Sequence, residues 1–506
     1  MKRLTIIIFI LSAVILNLLS GCDGLDEHYS TNPNHRLDFS KDTVAFDTIF
    51  STIGSTTKQL MIYNNNSEAL NIESILLAGG GTTGFRINVD GRKGDSFSNV
   101  SILAKDSMYV FVEVTVDPNG TDQPLLIEDS IVFVTNGMQQ SVILEAYGQD
   151  VNLYKGGVTI TKDSILTANR PYLIYDSLVI APNAKVTIEK GATFYMHDKA
   201  NIIVRGTMEA NGTQDQPVIF RGDRLDFILD NVLPYDRTPG QWGGIIFKKA
   251  SFNNTMNYVI VRNGTTGISC ELSEPELSKL EISNSQITNM SKDLFSAINC
   301  NITATNSEFS NAKGSVVTLI GGKYYFAHCT LANYMVLLTR DSQSKGEVPS
   351  KTLRIFNNAT VNESGPYPII QAQFDNCIID GSFSAGEKEL GGELQITSGA
   401  TFKSENTSFD FLFNHCLIKT KGEANNNFKD VIFITKSPEY IQTGEKENKY
   451  AFDFRLASDK EEGIGKADLS VARKYPKDRY GIDRLSSTNG PTIGAYEYVP
   501  KENNKQ

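Results

Sequence analysis

The chain has 506 residues, enough for two or three domains and a large buried core. A net charge of −10 argues against a nucleic-acid partner, which requires a basic face. Hydrophobic residues make up 40% and charged residues 21%, the balance of a folded protein, while 40 Gly and a single Trp fit many short strands and turns.

Lys2 and Arg3 precede an apolar run from Leu4 to Leu19, broken only by Thr5, Ser12 and Asn17, and Leu19-Ser20-Gly21-Cys22 follows. A positive start, an apolar core and small residues before a cut make an export signal. Leu-Ser-Gly-Cys resembles the bacterial lipobox, which implies loss of residues 1–21 and lipid on Cys22. A plain secretory signal or membrane anchor is the alternative. Asp23, Asp26 and Glu27 resemble the surface-export signal of some Gram-negative lipoproteins, although an Asp directly after the Cys elsewhere marks inner-membrane retention. The expectation is a chain tethered to the outer membrane by its N-terminal lipid and facing outward, with a periplasm-facing orientation as the alternative. Residues 22–36 are polar and read as a tether.

From 37 to 150 the pattern is alternating strands. Thr43–Phe46, Gln59–Tyr63, Ile72–Leu77, Tyr109–Val116, Ile131–Val134 and Ser141–Tyr147 are separated by turn clusters such as Asp117-Pro-Asn-Gly120. Strands with short turns and no helical period predict a small immunoglobulin-like β-sandwich. Phe111–Pro118, Asp129–Asn136 and Leu144–Gly148 resemble the final strands of bacterial domains related to the major-sperm-protein fold.

The pattern changes at Val151, and 151–435 reads as a solenoid. Leu178–Ile180, Val186–Ile188, Thr193–Met196, Ile202–Val204, Met208–Ala210 and Val218–Phe220 are very short strands, each followed by a turn. Arg221 to Gly240 breaks the rhythm with three Arg, four Asp and Tyr235, and runs into Gln241-Trp242-Gly243-Gly244. This stretch lacks a rung's apolar pattern and must leave the stack as a loop.

One pattern then recurs from Leu280 to Ile418. Around Asn284, Asn306, His328, Asn376 and His415, taken as position zero, apolar or small residues sit at −4, −2, +1 and +3. A straight strand would place them at −4, −2, 0 and +2. The slip predicts a corner whose two strands face one interior, bent at a residue type that tolerates a left-handed backbone. Asn284, Asn306 and His328 are spaced by 22 residues; wider gaps follow, and Asn257-Tyr-Val-Ile260 and Asn358-Ala-Thr-Val361 look like partial copies. By this register Ile287, Phe309, Leu331, Ile379 and Ile418 stack inside and Thr305 faces solvent. Cys329, Cys377 and Cys416 share the inward +1 position and read as buried thiols.

A period near 22 with a corner in each turn marks stacked parallel sheets. Here the chain resembles the right-handed parallel β-helix proteins of the pectate-lyase-like superfamily, and more narrowly the β-helix lipoproteins of Gram-negative surfaces. The fold class expected is therefore all-β, a right-handed parallel β-helix preceded by the sandwich. Residues 436–506 read as a last rung and a C-terminal cap. Asp453–Leu456, Tyr480–Arg484 and Gly494–Glu497 resemble the closing segment of secreted β-helices, which implies cover for the open end of the stack.

Parallel β-helices often cleave acidic polysaccharides, yet the chain has none of the polygalacturonase signatures and lacks the Trp-x-Asp-His motif of pectate lyases. Glu308, Asp375 and Asp380 are acidic residues in or beside corner repeats, with nothing that marks them as an acid–base pair. Five scattered His residues make a His-based zinc site unexpected, and no cofactor is expected. The favoured reading is a non-catalytic binding or adhesion scaffold for glycan or another surface ligand. The alternative is a polysaccharide lyase or glycoside hydrolase. Arg224, Asp226, Tyr235, Asp236, Arg237 and Trp242 are the candidate ligand residues, offering planar donors, acceptors and an aromatic platform. Against this stands a simpler arrangement, in which the Arg and Asp side chains pair to pin the loop and Trp242 packs beneath it.

Overall fold

The structure is a computed structural model and describes residues 28–229, 232–340, 350–357, 367–385, 391–397, 408–444 and 450–500. Cys22 and the Asn358 repeat lie outside the described residues. The chain divides into two compact units, residues 1–150 and 151–506.

The first unit is a sandwich of two sheets around one core. Among the described residues one sheet runs Asp38–Phe39, Lys58–Tyr63, Ser107–Val114, Phe85–Val89, Arg92–Gly94; the other runs Thr43–Phe50, Met138–Gln149, Leu125–Thr135, Leu70–Leu77, Ser96–Ile102. Alternate residues point inward, so Leu60, Ile62, Val110 and Val112 meet Ile72, Ile131, Phe133 and Leu144 in a shared core. Phe85–Val89, Arg92–Gly94 and Ser96–Ile102 are strands that the alternation pattern does not anticipate. A turn signal is nevertheless present: Asp90 and Gly91, at φ 51° and 76°, make the two-residue turn that joins Phe85–Val89 to Arg92–Gly94.

The second unit is a parallel β-helix. Its three long sheets hold eleven, ten and nine strands among the described residues, every neighbour parallel. Most strands are three to five residues long. Identical inward positions lie directly above one another. In the eleven-stranded sheet one column runs Tyr172, Phe194, Phe220, Val261, Ile287, Phe309, Leu331, Ile379, Ile418. In the ten-stranded sheet Phe326, Phe374, Phe413 and Phe428 stack with ring centroids 4.9, 4.8 and 5.2 Å apart. Those spacings match the distance between neighbouring strands, so backbone ladder and ring stack repeat together.

The corner is where the sequence places it. Asn284, Asn306, His328, Asn376 and His415 have φ between 48° and 54°. Each N–H still donates to the next rung, as in Asn306 N–H to Ala327 O at 3.0 Å. Side chains form a second ladder: Asn306 Nδ2 donates to Asn284 Oδ1 (3.3 Å), and Asn284 Nδ2 to Asn257 Oδ1 (2.9 Å). Asn257 itself is not a bend; Tyr258, at φ 48°, is, so that partial repeat begins one residue later than its sequence implies. Cys329, Cys377 and Cys416 are free, buried thiols bonded to carbonyls of the ladder.

Three expectations change. Thr305 faces outward by register yet is buried. The reason is the C-terminal segment, which runs along the flank of the stack rather than across its end. Arg484 Nη2 donates to Asn306 Oδ1 (3.2 Å), Gly494 N–H to Asn376 O (2.8 Å) and Ala495 N–H to Thr330 Oγ1 (3.0 Å). Outward-facing Ile378 and Leu417 pack with Ala467 and Ile493. Likewise Tyr440–Thr443 and Phe452–Leu456 are no rung but an antiparallel pair of their own.

His328 sits under this strap. Its Nε2 faces Asn376 Nδ2 at 3.0 Å. Burial, and then the Arg484 guanidinium, push its pKa well below the ordinary value, with Gly494 and Asp468 acting the other way. The folded protein therefore holds a neutral imidazole, while the unfolded chain takes up a proton below about pH 6.5. Stability is full above that pH and falls as pH drops toward the folded-state pKa, by about 1.4 kcal/mol for each pH step. Asp468 acts in a lower window. Burial raises its pKa, but hydrogen bonds from Ser470 and Asn414 outweigh this and hold it at about 2. Urea unfolding of wild type and His328→Asn from pH 7 downward checks the point: the variant should lose less stability as the pH falls below about 6.5. Parallel curves would remove His328 from the account.

Asn306→Val should cost about 1–2 kcal/mol through its left-handed backbone alone, with a further loss from the bonds to Asn284, Lys477 and Arg484. Asn306→Gly keeps the backbone and loses only the bonds. A urea midpoint for Gly at or below that of Val would contradict the bend.

Candidate functional site

The loop that leaves the stack after Gly222 is held by its own charges. Arg224 Nε and Nη2 donate to the two carboxylate oxygens of Asp226, at 2.8 and 2.6 Å. The same guanidinium lies 3.9 Å above the Tyr235 ring. Tyr235 N–H donates to Asp226 O (2.9 Å), closing the hairpin of Phe227–Leu229 with Leu233–Pro234. Asp236 Oδ1 stands 3.0 Å from both Arg221 Nη2 and Arg262 Nη2. Burial lowers the Arg262 pKa, and Asp236 opposes that shift. At the root of the loop Asp223 Oδ2 meets His197 Nδ1 at 2.6 Å, and burial raises the Asp223 pKa against that contact.

Trp242 is wholly buried in the core, its Nε1 donating to Arg262 O at 2.8 Å. It therefore gives no aromatic platform at a groove. Gly264 lies beneath it; a Cβ there would come within 2.7 Å of the Thr266 carbonyl and 3.5 Å of the indole. Arg224, Asp226 and Tyr235 are likewise engaged with one another. Of the six sequence candidates, Asp236 and Arg237 reach a cavity.

That cavity is a groove of about 280 Å³ on the outer face of the eleven-stranded sheet. Three strands make its floor: Val259–Arg262, Gln286–Met290 and Glu308–Ala312. Outward positions alternate with core positions, so Arg262, Gln286, Thr288 and Glu308 face it while Val261, Ile287 and Phe309 face in. Asp236 and Arg237 of the pinned loop form one side. Met335, Val336 and Leu337, with Tyr450, Ala451 and Phe452, form the other.

Its carboxylates are already matched. Glu308 is nearly inaccessible. Its Oε1 accepts from Gln286 Nε2 (3.0 Å) and Ser310 Oγ (2.6 Å), and its Oε2 accepts from the Tyr496 hydroxyl of the flanking strap. Asp236 is shared by two guanidiniums. The other acidic candidates are structural: Asp380 is buried and accepts from the hydroxyls of Tyr334 (2.6 Å), Tyr440 (2.9 Å) and Ser437 (2.9 Å), and Asp375 accepts from Gln373. Among the described residues there is no cluster of three or more His, Cys, Asp or Glu able to hold a metal.

The groove also has a sequence signal that the corner pattern hides. Asn263, Asn289 and Asn311 each lie five residues after a bend at Tyr258, Asn284 or Asn306 and themselves have φ of 68°, 66° and 61°. This second asparagine series turns the chain at the groove's edge and binds the loop to the stack. Asn263 Nδ2 donates to Asp236 O (2.9 Å) and Asn289 Nδ2 to Arg237 O (2.7 Å).

No family model matches the chain. It is similar to the protein Bark beetle of Drosophila melanogaster, 30% identical over 129 residues, which is 23% of this chain. That match spans 4% of the fly protein's length. Among solved structures, the pectate lyase Pel9A is 12% identical with a TM-score of 0.32, covering 69% of this chain and 88% of its own. A protein of unknown function from Porphyromonas gingivalis is 14% identical with a TM-score of 0.17, covering 22% of this chain and 46% of its own. A family 123 glycoside hydrolase from Clostridium perfringens is 8% identical with a TM-score of 0.16, covering 22% of this chain and 26% of its own.

Trp242→Ala should cost roughly 3–5 kcal/mol, the range for emptying a large core site. Arg262→Met leaves Arg221 on Asp236 and should cost only about 1 kcal/mol. Urea midpoints measure both; equal costs would mean that the loop's ion pairs, not the indole beneath, set local stability.

Proposed function

We propose that the protein is a lipid-anchored envelope protein whose β-helix binds a glycan without cleaving it. The observation that carries the reading is the groove between the pinned loop and the C-terminal segment. Its floor offers amide and hydroxyl groups, and its far wall is apolar and aromatic. Sugars take that mixture, hydroxyls to the polar floor and ring C–H groups to a flat apolar wall. Hydrolysis or elimination asks for a carboxylate or base open to the ligand. Both groove carboxylates are committed to protein partners, which favours retention over turnover. A lyase or hydrolase is the reading that product release would restore.

Arg237→Ala and Tyr450→Ala should each weaken retention on an immobilised glycan that wild type holds, by about tenfold, with little change in melting temperature. Unchanged retention by both variants would remove the groove from binding. Accumulation of shortened or unsaturated sugars with wild type would make the protein an enzyme.

The anchor rests on Leu19-Ser20-Gly21-Cys22. A fatty-acid analogue fed to expressing cells should label wild type and not Cys22→Ala. Label on the variant would refute lipidation at that residue. Protease added to intact cells should strip the protein if it faces outward and spare it if it faces the periplasm.

A further inference from the structure

We propose that the outer face of one sandwich sheet is a second binding site, for a saccharide, separate from the groove. The observation is a break in the strand pattern. In an antiparallel sheet with one face in water, outward positions are ordinarily polar. On Ser107–Val114 the inward residues Val110, Val112 and Val114 belong to the core, yet the outward ones include Tyr109 and Phe111. Tyr109 is 46% exposed and Phe111 is half-buried. Their rings lie within 18° of parallel, with centroids 5.9 Å apart. Two cavities open here, of about 410 and 370 Å³, and Phe111 lines both.

The polar groups beside the rings suit hydroxyls. Gln59 and Asn88 stand directly opposite Phe111 on the two neighbouring strands, Lys58–Tyr63 and Phe85–Val89. A side-chain amide both gives and accepts hydrogen bonds, as a sugar hydroxyl does. The Asn88 side-chain oxygen is enclosed yet has no hydrogen-bond partner among the described residues, so it is an acceptor that a ligand hydroxyl would satisfy. A sugar ring brings a C–H face to the aromatic rings and hydroxyls to these amides. A peptide joining as an added strand needs a free edge several residues long. The edges of this sheet are Asp38–Phe39 and Arg92–Gly94, only two and three residues. The face therefore takes a ligand laid across it rather than one added to its edge.

The test uses the full chain purified in detergent, titrated in a calorimeter with tetrasaccharides of glucose, xylose, mannose and galacturonate. The expected result is binding of at least one of them, weakened about tenfold by Tyr109→Ala and by Phe111→Ala and about threefold by Asn88→Ala. Tyr109 is exposed, so its variant keeps the wild-type melting temperature even where Phe111→Ala fails to fold. Binding that only these variants weaken would support the sandwich site and tell against the groove. Binding that Tyr450→Ala weakens and Tyr109→Ala and Asn88→Ala do not would overturn the sandwich site and leave the groove standing. No binding by the folded wild type would overturn both. A wild-type dimer in light scattering that Tyr109→Ala dissolves would make the face a contact between copies of the chain and overturn the saccharide.

Discussion

One backbone bend, repeated from Tyr258 to His415, governs the later rungs of the second unit. From Tyr258 onward, at Asn284, Asn306, His328, Asn376 and His415, the described repeats turn at a left-handed residue with φ near 50°, and that turn sends two consecutive strands toward the same interior. Without it the alternation would run on in phase and half of the apolar residues would face water. With it, these rungs present apolar side chains at matching heights, and the next rung stacks in register. The choice of Asn or His follows from two demands at one position. The residue must tolerate positive φ, and at Asn284 with Asn306 and His328 with Asn376 the side chain also bonds to its copy on the neighbouring rung. Val or Leu meets neither demand.

The groove is a by-product of how that stack is clothed. A parallel sheet with a polar outer face is soluble as it stands, but this one carries Ala332, Ile378 and Leu417 on its outer side in the later rungs. The C-terminal segment covers those. The earlier rungs carry Arg221 and Arg262, which hold the charged loop. Between the two coverings the strand Gln286–Met290 remains open, and its neighbours become the shoulders of a cavity. The position of the groove is thus set by where outward residues change from charged to apolar along one sheet.

Much of this is legible in the chain. The phase slip at Asn306 identifies the corner, and the balance of Arg and Asp in 221–237 anticipates a loop held by its own ion pairs. What cannot be read is which surface a tail will choose. The segment around Arg484 and Tyr496 announces burial but not its target, because the target consists of single residues on separate rungs: Asn306, Thr330, Asn376 and Glu308. For the same reason the register alone leaves Thr305 exposed. Trp242 looks like a platform in sequence, but in space it packs beside Gly264, where a side chain would collide with the Thr266 carbonyl and the Met290 sulfur.

The flanking strap also bears on how the solenoid comes apart. A plain stack of rungs couples each repeat only to the next, so it frays from its ends, one layer at a time. Here a single covalent segment touches the rungs of Asn306, Thr330 and Asn376 together, and Arg484 is buried against Glu497 within it. Those rungs open as a group or not at all. The rungs of Tyr172 and Phe194 lie several layers before those contacts. The solenoid therefore divides into a clamped half and a zipper-like half, and slow amide exchange belongs to the clamped one.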